Sequence, residues 1–361
     1  MLETKSEVGK AAATGGFDVE ILSVATANPA FPLSQTEAAE RARGIFPHLK
    51  GLWPLYDNTG IECRYNCQPV EWYLEPHSWE ERTAVFQKHA LDLLADVSVN
   101  AAAAVGVDLG AIDMLITNTI TGLAIPSLDA KLVNRLKLKP TVERLPIFGF
   151  GCGGGIAGLA RSTRLAQAAE GAHVLFLTVD LCSLCMRVND PSPAMFVSTA
   201  LFGDGAAGVL LRNAMNGAGG GPRILAIGEW CWPQTEHIMG WDIKDDGFGV
   251  VLSPELPALL RRALAPALCD FLDRHGFHLS DFNGFLFHPG GRKLIETMQD
   301  VLGLAHKQFE HSWEVLRRYG NMSSATALFV LERALQAGAR GRHLLAAFGP
   351  GFSAYFVAVD L

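Results

Sequence analysis

The sequence has no apolar run long enough to cross a membrane and no basic-then-apolar segment at its start. Its apolar stretches are short: HVLFLTVDLCSLCM, for example, is interrupted by Asp180, whereas a transmembrane helix needs about 20 predominantly apolar residues. The opening segment, MLETKSEVGKAAATGGF, lacks the order of a signal peptide. We therefore expect a cytoplasmic protein without a membrane span.

The sequence also lacks an excess of basic charge. Lys and Arg number 30 against 37 Asp and Glu, which gives a formal net charge of −7. This balance argues against nucleic acid as the main partner, and an anionic ligand must be met by local cations. With 361 residues, of which 49% are hydrophobic, the chain is long enough for two domain-sized units with buried cores.

Cysteine is sparse, and seven cysteines in a chain of this length indicate reduced thiols rather than a disulfide framework. One alternative is a zinc site that combines Cys63 and Cys67 with Cys182 and Cys185. The spacing of the first pair is unusual for zinc, and the second pair ends an apolar strand, where buried thiols are ordinary. We therefore expect no metal.

Short apolar strands alternate with helical stretches, which predicts an α/β fold. AIDMLITNT, HVLFLTVDL and AAGVLLR are predicted strands, and ERTAVFQKHALDLLADVSVNAAAAVG and GIAGLARSTRLAQAAEG are predicted helices that end at glycine. The stretch NGAGGGPR, Asn216 to Arg223, is the best candidate for an internal boundary. It divides the chain into an N-terminal half, 17–215, and a C-terminal half, 222–361.

The two halves repeat the same order of segments. ALFGDGAAGVLL in the first resembles AAFGPGFSAYFVAV in the second, and AIDMLITNT resembles DFNGFLFHPGG. The helix after FGFGCGGG likewise corresponds to RYGNMSSATALFVLERAL. A duplicated α/β unit explains these similarities. It predicts that reactive residues from equivalent positions of both halves meet at a shared interface.

Three residues stand at such positions. Cys152 lies among glycines at a predicted helix start, His288 at a strand end, and Asn321 at the second helix start. A helix N-terminus and a nearby imidazole stabilise a thiolate, so we expect a lowered pKa for Cys152. An imidazole and an amide aimed at one point can stabilise an oxyanion. The set suits acyl transfer through a thioester followed by carbon–carbon bond formation.

From about Gly60 to its end, the chain resembles the type III polyketide synthases, the chalcone and stilbene synthase family. The resemblance is carried by TGIECRY, FGFGCGGG, STALFGDGAAG, FHPGGRKLIE, YGNMSSATALFVLE and AFGPGFSAYF, the last with Ala347 in place of glycine. It implies a duplicated thiolase-like fold with α-β-α-β-α layers, a homodimer, and no cofactor beyond CoA thioesters as substrates.

The resemblance also implies roles for particular residues. Cys152 would accept the starter acyl group, and His288 and Asn321 would hold the thioester carbonyl and drive decarboxylation of malonyl-CoA. Phe202 would line the entrance, facing a gatekeeper at Val250 or Phe248. The residues implied in CoA binding are Arg64, Arg292 and Lys293. Those implied in ring closure are Asp180, Ser323 and Thr119, and resorcinol, pyrone and phloroglucinol products all stay open.

The starter is suggested by residues that match cavity-lining positions of the family: Thr119, Thr121, Cys182 and Cys185. Cysteine at the last position resembles bacterial members that thread a long acyl chain into a tunnel, as does the stretch CQPVEWYLEPHSWEERTAVF. A buried chain gains about 0.8 kcal/mol for each methylene. We predict a medium- or long-chain fatty acyl starter, with core packing of the two cysteines as the alternative.

Two other functions share the fold. A β-ketoacyl synthase of fatty-acid initiation has the same Cys, His and Asn but performs one condensation on a carrier protein, and GNMSSA and FGPG favour the polyketide function. A non-catalytic thiolase-fold partner would be expected to lack the nucleophile, whereas Cys152, His288 and Asn321 are all present.

Overall fold

The computed structural model describes residues 17–214 and 220–361. The opening segment up to residue 16 and part of the predicted boundary, residues 215–219, lie outside the described residues. The strands are β1 Val19–Ala27, β2 Phe31–Ser34, β3 Cys63–Asn66, β4 Met114–Thr119, β5 Glu143–Phe148, β6 His173–Leu181, β7 Asp204–Asn213, β8 Arg223–Cys231, β9 Met239–Lys244, β10 Gly247–Leu252, β11 Gly284–Phe287, β12 Arg342–Gly349 and β13 Ser353–Asp360.

The α-helices are α1 Gln35–Ile45, α2 Trp79–Ala103, α3 Leu128–Arg135, α4 Gly154–Ala168, α5 Pro193–Leu201, α6 Leu256–His275, α7 Arg292–Leu302, α8 Glu310–Tyr319 and α9 Thr326–Gln336. Helix α2 begins earlier than its apolar pattern predicts, because Ser78 and Glu81 form a reciprocal capping box at its start. No helix in the described part of the chain is long and apolar enough to cross a membrane.

The main sheet repeats one strand order twice. In the first portion the order is β1-β7-β6-β4-β5, and in the second it is β8-β13-β12-β11. In both, the first three strands are antiparallel and the next pairing is parallel. The portions meet at the pairing of β1 with β8, where Glu20 lies opposite Arg223. The fold is a duplicated thiolase-like α/β fold, although the limits 17–215 and 222–361 stay a prediction.

The helices and the two portions of the sheet form five layers with apolar cores between them. Helix α2 packs on β1, β6 and β7, and α6 packs beside β8 on the opposite outer face. Helices α4 and α9 fill the central layer, where Ile156 and Leu159 join Leu328 and Leu331 in one fully buried core. This is the predicted α-β-α-β-α arrangement, and it places the starts of the two equivalent central helices side by side.

Candidate active site

A cavity of about 530 Å³ opens at the starts of the central helices and is lined by Cys152, His288 and Asn321. Cys152 lies in the tight turn Gly151–Gly153 that leads into α4. His288 directly follows β11, and Asn321 precedes the turn Ser323–Ala325 that leads into α9. The two portions of the sheet therefore contribute reactive residues to the same cavity.

Two glycines explain how closely the central helices approach each other. A Cβ atom at Gly155, in the first turn of α4, would lie 2.2 Å from the carbonyl oxygen of Ser324. Gly151 has a left-handed φ of +50°, and a Cβ there would lie 2.6 Å from Cδ of Pro350. Glycine is required at both positions by backbone approach and conformation. The glycine-rich segment thus lets Cys152 reach the second portion of the sheet.

The amide of Asn321 is held in a fixed orientation next to the thiol. Its Oδ1 atom lies 3.9 Å from Sγ of Cys152 and accepts a 2.8 Å hydrogen bond from the backbone N–H of Ser323. Its Nδ2 group donates to the carbonyl oxygen of Gly290 at 3.3 Å. Because a side-chain amide has two N–H donors, one remains for a bound substrate.

The expected low pKa of Cys152 is wrong for the unliganded site. Hydrogen bonds with Ser323 and Asn321 favour the thiolate, but burial outweighs them and raises the pKa of Cys152 to about 11. Burial also lowers the pKa of His288 to about 3. Neither ring nitrogen of His288 has a hydrogen-bond partner among the described residues. Both groups are therefore neutral at pH 7, and burial disfavours an isolated thiolate and imidazolium pair.

Arg64 does not fit its predicted role in CoA binding. Its side chain is buried, and the guanidinium donates to the carbonyl oxygens of Thr199 at 2.6 Å, Ala200 at 3.0 Å and Phe202 at 3.2 Å. Burial lowers its pKa to about 10. These bonds hold the end of α5, and with it Phe202, which lines the catalytic cavity as expected. Arg64 is a structural residue behind the entrance.

Thr119 and Thr121 do not line the cavity, which is a second correction. Their hydroxyls donate to Oδ1 of Asp180 at 3.2 and 3.3 Å, and the backbone N–H of Ile120 donates to the same atom at 2.8 Å. Asp180 is fully buried, and its other oxygen accepts from Ser324. The cavity wall is formed by Ile120 instead. Because β4 ends at Thr119, strand alternation gives no signal for the direction of Ile120 or Thr121.

A second cavity of about 70 Å³ lies beyond the catalytic one, and we call it the distal cavity. The two cavities share Cys182, Phe202, Trp241 and Val250 in their linings. Cys185 lines only the distal cavity. Most of the remaining wall is apolar and includes Leu33, Ala38, Ala42, Ile45, Val70, Leu74 and Met195.

Of the two gatekeeper candidates, Val250 lies in both linings. Phe248 is instead buried against Trp79 and Trp241, with ring centroids 5.0 and 5.6 Å away. In the hairpin of β9 and β10, Val250 pairs directly with Trp241, whose indole N–H donates to the carbonyl oxygen of Ile120 at 2.9 Å. Sequence reasoning missed Trp241, although the hairpin pairing connects it to the gatekeeper position.

Buried polar groups fix the turn Cys182–Cys185 between the two cavities. Asp204 accepts 2.8 and 2.6 Å hydrogen bonds from the backbone N–H and hydroxyl of Ser183. Tyr73 bonds the same hydroxyl at 2.6 Å, and Arg82 donates to the carbonyl oxygen of Leu184 at 2.7 Å. The turn Cys182–Cys185, which separates the two cavities, is therefore held by several buried side chains.

The same region does not form the alternative zinc site. The Sγ atom of Cys67 is hydrogen-bonded with the Tyr73 hydroxyl at 3.6 Å and the Ser183 hydroxyl at 3.7 Å. Among residues 17–214 and 220–361, no group of three or more His, Cys, Asp and Glu side chains is arranged to hold a metal ion.

Arg292 and Lys293 begin α7 and lie in the lining of the catalytic cavity. Arg292 donates to Glu296 at 2.7 Å on the same helix, whereas Lys293 makes no ion pair with a described residue. Both residues follow His288 closely in the chain and line the catalytic cavity, so they are available there to a substrate that carries phosphate groups.

Comparison with known proteins agrees with this geometry. Residues 69–214 match the family model for the N-terminal domain of chalcone and stilbene synthases, and residues 226–358 match the model for their C-terminal domain. The chain belongs to the chalcone and stilbene synthase family. It is a type III polyketide synthase, an acyltransferase that catalyses Claisen condensations, and these enzymes need no cofactor beyond their CoA thioester substrates.

Individual relatives cover nearly the whole chain. The 1,3,6,8-tetrahydroxynaphthalene synthase of Streptomyces peucetius subsp. caesius is 37% identical over 310 residues, 84% of this chain and 81% of the relative. The alpha-pyrone synthesis polyketide synthase-like Pks18 of Mycobacterium tuberculosis is 28% identical over 94% of this chain and 91% of the relative. The crystal structure of 1,3,6,8-tetrahydroxynaphthalene synthase from Streptomyces coelicolor A3(2) matches with a TM-score of 0.90 and 30% identity, over 94% of this chain and 99% of that one.

Proposed function

We propose that this polyketide synthase loads a medium- or long-chain fatty acyl group from CoA onto Cys152 and extends it with malonyl-CoA. Ring closure of the extended chain gives an alkylpyrone or alkylresorcinol. The observation that carries the proposal is the distal cavity, whose mostly apolar lining shares Cys182, Phe202, Trp241 and Val250 with the catalytic cavity. A chain attached to Cys152 would pass this shared wall and lose water from its methylenes.

Loading begins with proton transfer within the site. His288, whose ring nitrogens have no hydrogen-bond partner among the described residues, takes up the thiol proton of Cys152 in concert with attack by the sulfur. The sulfur attacks the thioester carbonyl, and the CoA thiolate leaves and takes up the proton. During attack, the free N–H of Asn321 stabilises the negative charge on the carbonyl oxygen. At the end of the step the imidazole is neutral again, Cys152 carries the acyl group as a thioester, and the proton of its thiol is on free CoA.

Extension uses the same donors for malonyl-CoA. His288 and Asn321 hold its thioester carbonyl, carbon dioxide leaves, and the electron pair of the broken bond forms an enolate. The enolate carbon attacks the acyl carbonyl carbon on Cys152, and the Cys152 thiolate is expelled. The lengthened chain is then carried by CoA. Arg292 and Lys293 are proposed to bind CoA phosphates at the cavity mouth. Ser323, which lines the cavity beside the Asp180 network, is proposed to bear on ring closure.

The enzyme is proposed to act as a homodimer. Strand β5 is the edge of the main sheet, so one side of its backbone has no strand partner among the described residues. Leu145 and Phe148 on this strand are 39% and 51% exposed, and Ile125 in the nearby loop is 98% exposed. An apolar edge of this kind needs a cover. Sedimentation showing only monomer at micromolar concentration would contradict the dimer.

The starter is tested by mass spectrometry of the products made from malonyl-CoA and a series of starters. The series runs from acetyl-CoA to palmitoyl-CoA and includes 4-coumaroyl-CoA. We expect dodecanoyl- or longer acyl-CoA to compete best and to give triketide or tetraketide products. Preference for the aromatic starter would refute the fatty acyl assignment, while the polyketide synthase assignment would stand.

A second candidate product follows from the relatives named 1,3,6,8-tetrahydroxynaphthalene synthase, of which one is 37% identical. An incubation with malonyl-CoA alone separates the two. Tetrahydroxynaphthalene as the main product, unchanged by added fatty acyl-CoA, would favour that activity over the proposed one.

A further inference from the structure

Asn66, the last residue of β3, lies in the lining of the distal cavity. Alternation along the strand puts it on the same buried face as Arg64, and only 6% of its surface is exposed. The protein nevertheless leaves its amide atoms partly accessible. The uncovered part of this side chain therefore faces the cavity.

The amide of Asn66 makes no hydrogen bond with any described residue, which distinguishes it from its neighbours in the wall. The hydroxyl groups in this wall are hydrogen-bonded: Tyr56 with Thr199, Tyr73 with Ser183, and Ser198 with the carbonyl oxygen of Ala194. The guanidinium of Arg64 and the indole of Trp241 donate to backbone carbonyl oxygens. Among the described residues of the wall, Asn66 thus presents an amide without a hydrogen-bond partner, whereas the Nε atom of Arg64, which also lacks one, is fully covered by protein.

An unused amide matters for any chain that enters the cavity. The cavity, at about 70 Å³, is larger than the roughly 10–15 Å³ that one water requires, so water can satisfy Asn66 in the free enzyme. A saturated acyl chain would displace that water and offer no hydrogen bond. An oxygen atom on the chain would replace it, because the amide can donate and accept.

We propose that Asn66 forms a subsite for an oxygen atom carried by the acyl chain remote from the thioester. The ligand class is a hydroxyacyl- or oxoacyl-CoA starter of medium or long chain length. The subsite rests on the proposed function, in which the chain of the starter reaches the distal cavity. A hydroxyl can both donate to and accept from the amide, whereas a ketone only accepts, so the two oxygen types are distinguishable.

The test compares kcat/KM for dodecanoyl-CoA with that for positional series of hydroxydodecanoyl- and oxododecanoyl-CoA in the wild-type enzyme. We expect at least one positional isomer to be preferred by about five- to tenfold, the effect of one net hydrogen bond. Asn66→Leu, which is similar in size and removes the amide, should abolish this preference. It should also raise kcat/KM for dodecanoyl-CoA relative to acetyl-CoA.

Ser198→Ala is the matched control in the same wall. The Ser198 hydroxyl already donates to its own helix at 2.8 Å, so its loss should leave the preference for the oxygenated isomer in place. If Asn66→Leu does not fold, calorimetric binding to Cys152→Ala protein supplies the comparison. There the oxygenated isomer should bind more tightly than dodecanoyl-CoA, and equal affinities would overturn the subsite.

The two proposals fail in different ways. If the enzyme uses dodecanoyl-CoA but prefers no oxygenated isomer, the subsite is refuted and the fatty acyl proposal stands. If it rejects every twelve-carbon starter, both are refuted. A preference that survives Asn66→Leu would overturn the assignment to Asn66.

Discussion

The catalytic cavity and the distal cavity share part of one wall but differ in size and in how their polar groups are used. The first, of about 530 Å³, contains a thiol, an imidazole without a hydrogen-bond partner in the described part of the chain, and an amide with one N–H bonded to protein. The second, of about 70 Å³, is mostly apolar, and its hydroxyl groups are bonded to protein. Under the proposed function, reactivity belongs to the catalytic cavity and selection by chain length to the distal cavity, so substitutions in each should have different kinetic signatures.

The largest effect is expected at the nucleophile. Cys152→Ala should lower product formation by at least about 10⁴-fold with every starter, because no acyl-enzyme can form. The measurement is product formation by mass spectrometry, and the sedimentation coefficient should match that of the wild type. Turnover within tenfold of the wild type would remove Cys152 from the mechanism.

A second change separates the nucleophile from the oxyanion donors. Cys152→Gln should still convert malonyl-CoA to acetyl-CoA, because His288 and Asn321 remain to hold the thioester carbonyl. Released carbon dioxide and acetyl-CoA are the readouts, and Cys152→Gln with His288→Ala is the control that should lose both. Equal decarboxylation in the single and double variants would contradict the role of His288.

The proposed role of the distal cavity in binding the acyl chain is tested by substitutions that fill it. Cys185→Phe should lower kcat/KM for dodecanoyl-CoA by about fiftyfold, which corresponds to three methylenes excluded from burial at about 0.8 kcal/mol each. The value for acetyl-CoA should change by no more than about threefold, since Cys185 does not line the catalytic cavity.

Two controls separate blocking from misfolding. Ala42→Phe fills the same cavity from α1 and should give the same selective loss, whereas Cys185→Ala should not. Equal losses across all chain lengths in Cys185→Phe would show that Cys185 supports the fold and that chains do not pass it.

The layers of the fold were predictable because they depend on local patterns that occur twice. The alternation of strands and helices is visible in local sequence alone. It is indicated by the apolar strands AIDMLITNT and HVLFLTVDL and by the glycine-rich start of α4. The meeting of Cys152 with Asn321 also follows, because duplication places equivalent helix starts in the central layer. The close approach of Gly155 to Ser324 then explains why the start of α4 is rich in glycine.

Side-chain direction was less predictable. Arg64 was expected to bind CoA, yet it donates to three backbone carbonyl oxygens at the end of α5. Thr119 and Thr121 were placed at the cavity, yet the buried carboxyl of Asp180 holds both hydroxyls. In each case a buried group from a distant segment decides the orientation, and no spacing within one segment reveals that partner.

The pKa of Cys152 could not be judged from the helix start alone. The helix start is readable from FGFGCGGG, whereas the donors Ser323 and Asn321 and the burial of the thiol come from other segments. Burial raises the pKa of Cys152 by more than these hydrogen bonds lower it.

An effect on stability rather than on activity is expected at Asp204, which holds the turn between the two cavities. Burial raises the pKa of Asp204 from 3.8 to about 6, although hydrogen bonds from Ser183 and the backbone of Cys67 oppose the shift. A carboxyl whose pKa is raised by folding stabilises the protein fully below the unfolded pKa, and this stability is lost as pH rises through the folded value. Between pH 4 and pH 7 the wild type should therefore lose up to about 3 kcal/mol more free energy of unfolding than Asp204→Asn.

Urea denaturation at pH 4, 5, 6 and 7 measures this difference. Ser183→Ala sharpens it, because removing the 2.6 Å hydrogen bond to the carboxylate should move the transition to higher pH. The neighbouring Asp180, whose pKa burial also raises, is present in all three proteins, so its contribution cancels from the comparison. Parallel pH profiles for the wild type and Asp204→Asn would show that the carboxyl stays ionised, and that the wall between the cavities is held by a charge.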